Sequence, residues 1–147
     1  MKYSLMKLAP VILGFAAMAA CGGDSTAPPS QLVGSYTAVE FVTTGSSGQT
    51  NQLLAGSTLN IALSSDHTTT GHLHVAASGS TPAFDFDLTG TWTQIGNSVG
   101  FTQAADTFFN DMAFTAVAGS GGGWDLVGDG SFSGTAVHVT LRQQSNL

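Results

Sequence analysis

The chain has 147 residues, room for one ordinary domain, and a formal charge of −6. Both lysines, Lys2 and Lys7, fall in the first 20 residues, which leaves Arg142 as the one cation against all nine carboxylates. So poor a basic complement excludes nucleic acid and anionic headgroups as partners, because nothing remains to neutralise phosphates. The absence of lysine past residue 7 likewise excludes Schiff-base chemistry from the rest of the chain.

Residues 1–20 open with the two lysines and continue as an apolar run over 8–20 broken only by Pro10. The run is shorter than the roughly 20 apolar residues a bilayer requires. It ends on the small residues Ala19 and Ala20, directly before Cys21, the one cysteine. These features predict a signal peptide over 1–20. Met18-Ala19-Ala20-Cys21 resembles the lipobox of bacterial lipoproteins, which reads large apolar, small, small, cysteine. The resemblance implies cleavage before Cys21, a diacylglycerol thioether on its sulfur, and an acyl chain such as palmitate on its new amino group. Together these suffice for a stable membrane anchor. Gly22 follows, rather than the aspartate that retains many such lipoproteins in the inner membrane, so the resemblance implies the outer membrane. With its cysteine committed to lipid, the exported domain has no disulfide framework. Residues 21–30 have the small, polar, proline-bearing composition of a flexible linker, and the folded domain is expected over 31–147.

Past the linker, apolar residues alternate with Thr and Ser, and glycines punctuate the chain, which predicts antiparallel strands. They are expected at 33–43, 57–63, 69–77, 84–94, 98–103, 112–118, 124–128 and 131–143. The last puts Val137, Val139 and Leu141 on one face and His138, Thr140 and Arg142 on the other. Gly96-Asn97 predicts a two-residue hairpin with Trp92 opposite Phe101, and Asp129-Gly130 suits a second. One or two helical turns fit within 104–110, with Asp106 as an N-cap. About eight antiparallel strands can close as an up-and-down barrel or stack as a β-sandwich. Val33-Gly34-Ser35-Tyr36 resembles the start of lipocalin-like domains, and Gly90-Thr91-Trp92-Thr93 with Gly96-Asn97 and Val99 resembles the middle hairpin of small bacterial lipocalin-like lipoproteins. The resemblance implies an up-and-down lipocalin-like barrel and binding of a small apolar ligand.

Two candidate sites follow. Phe108 and Phe109 are adjacent rings in a segment that does not alternate, suited to lid or plug a barrel mouth. With Trp92 and Trp124 they are the expected contacts of a small apolar ligand. His72-Leu73-His74 and Asp85-Phe86-Asp87 lie on neighbouring strands; if Leu73 and Val75 share a face with Phe84 and Phe86, His74 stands opposite Asp85 and His72 opposite Asp87. Such a patch suits cross-strand hydrogen bonds or a divalent metal, zinc or copper. Catalysis finds little support, since Gly130-Ser131-Phe132-Ser133-Gly134 carries phenylalanine where a nucleophile elbow carries serine, and the glycines of 119–123 lack a phosphate-loop lysine. No enzymatic activity and no cofactor are expected, leaving ligand binding, metal binding or a structural role in the cell envelope as alternatives.

Overall fold

The computed structural model describes residues 27–145, so the expected signal peptide and Cys21 lie outside the described residues. A helical turn, Pro29–Leu32, precedes ten strands: β1 (Gly34–Gly45), β2 (Gly48–Asn51), β3 (Thr58–Leu63), β4 (Thr68–Val75), β5 (Phe84–Asp87), β6 (Gly90–Ile95), β7 (Ser98–Gln103), β8 (Phe114–Ala118), β9 (Trp124–Phe132) and β10 (Thr135–Gln143). All pairings are antiparallel. Eight of the strands form a ring in the order β1-β3-β4-β6-β7-β8-β9-β10, with β10 returning to β1, and β2 and β5 are additions to it. The ring decides between barrel and sandwich: a sandwich leaves β1 and β10 on separate edges, whereas here they are paired from Tyr36↔Gln143 to Thr44↔Ala136.

The single strand expected at 84–94 is present as β5 and β6 in one unbroken register. Val75↔Phe84 through His72↔Asp87 continue as the Leu88 N–H donating to the Gly71 carbonyl at 2.9 Å, then as Thr69↔Gly90 and Thr68↔Thr91. Glycine is required where this ribbon coils. A Cβ on Gly71 would strike the Asn60 carbonyl oxygen, and one on Gly90 the Thr102 carbonyl oxygen, both backbone atoms that cannot yield.

Strand alternation fills the interior. Val137, Val139 and Leu141 are buried on β10 as the face rule requires. On β1 a bulge between Ala38 and Glu40 shifts the phase, so Tyr36, Ala38 and Phe41 all turn inward while Val39 is left 43% exposed. The Asp129-Gly130 turn is not formed. Both residues continue β9, opposite His138 and Val137, and the turn falls at Ser133 (φ 49) and Gly134 (φ 79), two successive positive φ values as a I′ hairpin demands. Gly130 serves packing instead, since its added Cβ would meet Met112 Cβ at 2.8 Å. Met112 is correspondingly buried in the core, and β8 begins two residues later than expected.

The two ends of the barrel differ. At one end the chain enters through residues 27–33, and part of the expected linker is folded here rather than flexible. Ala27 and Leu32 are fully buried. Ala27 bonds to Asn97 and Gln94 of the β6–β7 hairpin, Tyr36 Oη donates to the Leu32 carbonyl at 2.8 Å, and Gln143 Nε2 donates to the Gln31 and Val33 carbonyls. Burial, with Asp125 nearby, pushes the Tyr36 phenol far above its ordinary pKa, so it stays a neutral donor. This end is closed. The other end carries β2, which the sequence reading missed, and the β4–β5 and β9–β10 turns.

Candidate functional site

The open end owes its gap to pairing. β5 has β4 as its only partner strand, and β8 covers β9 only as far as Gly128, so Phe84–Asp87 and residues 129–132 each leave one edge unpaired by strand. Residues 104–113 cross the interval, carrying a 3-10 turn, Phe108–Asn110. Asn110 fixes this crossing: its Oδ1 accepts from the Gln103 N–H at 2.6 Å and its Nδ2 donates to the Ala105 carbonyl at 3.0 Å. Thr107, not Asp106, holds the N-cap position, and no side chain caps the turn.

Phe108 and Phe109 drop from this turn into the barrel. Their rings stack at 4.9 Å, Phe109 stacks on Phe114 at 5.2 Å, and Phe101 meets both Phe109 and Phe114 edge-on. The stack fills the middle of the interior and forms a floor. Above it lies an apolar cavity of about 480 Å³ that opens to solvent. β4 and β5 line one wall with Leu73, Val75, Phe84 and Phe86. Phe41 and Thr43 of β1, Val137 and Thr135 of β10, and Phe132 of β9 line the opposite wall, and Phe108 the floor. Phe84 remains 43% exposed at the rim although its alternation is that of an inward residue, because the barrel is unfilled there.

Of the four expected ligand contacts, Phe108 alone lines this cavity. Phe109 lies behind it in the stack. Trp92 and Trp124 lie outside this cavity, both at the closed end. Trp92 is buried with its Nε1 donating to the Ser64 carbonyl at 3.0 Å, and Trp124 Nε1 donates to Gln31 Oε1 at 3.2 Å. Aromatic character marked them, but the end of the barrel a strand residue occupies depends on strand direction and register. That same information would have found Val75 and Phe86, whose inward face the alternation of β4 and β5 shows without showing that they line a cavity, whereas Phe41 faces inward only because of the β1 bulge.

Polar groups in the lining are unequally satisfied. On one side Gln52 Nε2 donates to Thr43 Oγ1 at 2.7 Å, while Ser57 Oγ donates to Gln52 Oε1 and accepts from the Ala76 N–H. On the other, Thr107 is 2% exposed and its Oγ1 has no hydrogen-bond partner. Asp106 is the one charged side chain in the lining. Arg142, the only basic residue other than histidine among the described residues, is at the closed end in a bidentate pair with the buried Asp125 at 3.0 and 3.1 Å.

The His/Asp patch forms in the expected register, His74↔Asp85 and His72↔Asp87, on the outer face of β4 and β5. His72 Nε2 is 3.0 Å from Asp85 Oδ1 and its Nδ1 3.4 Å from Asp87 Oδ1, while His74 Nδ1 is 2.9 Å from the same Asp85 oxygen. Hydrogen bonds to Asp85 and then Asp87 raise the His72 pKa, and bonds from His74 and His72 lower that of Asp85. A second such group joins His138 to Asp129 at 2.6 Å and Glu40 at 3.3 Å. Among the described residues no group of three or more His, Cys, Asp or Glu is disposed to hold a metal ion.

No protein-family model matches the chain, and neither curated proteins nor solved structures provide a match.

Proposed function

We propose that the protein is a non-enzymatic lipoprotein of the bacterial cell envelope, anchored through Cys21 to the outer membrane, whose lipocalin-like barrel binds a small apolar ligand at its open end. The observation that carries the reading is the cavity of about 480 Å³, within the range of small-molecule sites and lined on most sides by aromatic and branched aliphatic side chains. The lipobox Met18-Ala19-Ala20-Cys21 supports the anchor, and the closed eight-stranded barrel is compatible with a lipocalin-like fold.

The test is titration of the full chain with N-phenyl-1-naphthylamine, a neutral probe that brightens in apolar surroundings, against Val75→Trp, which fills the wall of the cavity. Saturable binding by the native chain, lost in a variant whose thermal unfolding stays cooperative, is the expected result. Equal binding by the two would place the probe elsewhere and remove the reading, as would no saturable binding by the native chain.

A further inference from the structure

β5 leaves half of its backbone hydrogen-bonding groups without a strand to receive them. The Leu88 N–H donates to the Gly71 carbonyl, which fixes the phase of the ladder: Leu88, Phe86 and Phe84 turn their backbone groups toward β4. The N–H and C=O of Asp85 and Asp87 therefore point away from β4, and among the described residues no hydrogen bond from a loop or another element reaches them. Residues 104–113 do not supply the missing strand. Their last bond to this ribbon runs from the Ala104 N–H to the Thr89 carbonyl, and the chain then turns inward to bury Thr107, Phe108 and Phe109.

The side chains of β5 divide by face. Phe84 and Phe86, stacked at 6.4 Å, point into the mouth of the cavity and stay partly uncovered. Asp85 and Asp87 point outward. Asp85 is engaged by both His72 and His74, whereas Asp87, its side chain 88% exposed, has one contact with His72 at 3.4 Å. A row of free amides and carbonyls beside uncovered aromatic rings is a template for a further strand. In antiparallel pairing, the arrangement of every ladder in this barrel, the residues directly opposite Asp85 and Asp87 share their outer face. Paired with a second copy of itself about a two-fold axis, β5 would set carboxylate against carboxylate, which is unfavourable. Nor does this chain hold a free cation to answer them, since Arg142, the only lysine or arginine among the described residues, is paired with Asp125.

We propose that β5 binds, by antiparallel strand addition, an extended peptide segment of another protein in which lysine or arginine alternates with branched or aromatic apolar residues. The basic side chains meet Asp85 and Asp87, the apolar ones cover Phe84 and Phe86, and the peptide backbone takes up the free groups of Asp85 and Asp87. This surface does not depend on the apolar-ligand reading.

Fluorescence anisotropy of a labelled Lys-Val-Lys-Val-Lys-Val peptide with the full chain in detergent micelles is the test. The peptide should bind about tenfold more tightly than Glu-Val-Glu-Val-Glu-Val, and Asp87→Lys should shrink that preference several-fold. Methyl groups on the lysine backbone nitrogens, which face β5 in this pairing, should abolish binding by the native chain. On the valine nitrogens, which face away, they should leave it unchanged. A lysine-methylated peptide that binds as well as the unmodified one overturns the proposal, because charge attraction alone would then account for binding. A preference unchanged in Asp87→Lys overturns it too. Dimerisation of the chain without binding of the peptide makes a second copy the occupant, and absence of both leaves the edge unused; either result also overturns the proposal.

Discussion

His72 stands between two carboxylates, one facing each ring nitrogen, an arrangement that an imidazolium satisfies with two donated hydrogen bonds and a neutral ring with one. Its folded pKa is raised, so its contribution to stability is complete below the unfolded value near pH 6.5 and is lost as pH rises through the raised one. Asp85 is shifted down, so its contribution is present above the unfolded value near 3.8 and is lost as pH falls through the lowered one. Both act together between roughly pH 4 and 6.5. Asp85→Asn should therefore reduce the melting temperature most within that window and progressively less on either side, with a small effect throughout because solvent screens the exposed groups. Circular-dichroism melts of both proteins from about pH 3 to 8 read this directly; a difference independent of pH would show that the pairs do not form. The alternation of Leu73, Val75, Phe84 and Phe86 was enough to foresee both pairs, because shifting the register by one would turn apolar side chains outward. It could not foresee that Asp85 would be shared, which depends on side-chain rotamers.

For the elements, legibility followed how strictly each one alternates. β7, the inward face of β10 and the Trp92↔Phe101 pairing were legible from period and from the Gly96 turn, whose positive φ of 61 glycine adopts freely, although β10 begins at Thr135 and not at 131. The turn after β9 was misplaced because Gly130 reads in sequence as punctuation and in the barrel as space for Met112. β2 was missed because Gly-Gln-Thr-Asn has no apolar residue and all four positions are exposed. The entering segment was hidden by composition: prolines and serine look like linker, yet Ala27 and Leu32 complete the closed end. Leu32→Ala should cost about 2–4 kcal/mol in urea unfolding, whereas Leu54→Ala, at an 87% exposed position, should stay within about 0.5 kcal/mol. A Leu32→Ala cost as small as that of Leu54→Ala would mean the segment is not part of the cooperative core.

At the scale of the molecule, the closure of β1 on β10 could be anticipated only as one of two ways to stack eight strands, since no local pattern records which edges meet. The unequal ends are still less local. They arise because β5 and β9 outrun their neighbours on one side, while the entering chain plugs the other. Leu54 is exposed in the turn between β2 and β3 at the open end, and Ile95 is exposed beside Gly96 at the closed end. With the full chain anchored in lipid vesicles, Leu54→Cys should react with a bulky polyethylene-glycol maleimide several-fold faster than Ile95→Cys, and the two should react alike once detergent disperses the vesicles. Equal rates on intact vesicles, or the reverse order, would exclude an orientation that holds the closed end toward the membrane.

That expectation follows from where the polypeptide enters its own barrel. Six residue steps separate Cys21 from the buried Ala27, about 20 Å even when fully stretched, too short a leash for the domain to turn over and press its mouth against the bilayer. Under the proposed anchor and ligand, cargo would load and unload through the surrounding fluid, one molecule at a time, rather than by lateral transfer out of the leaflet below.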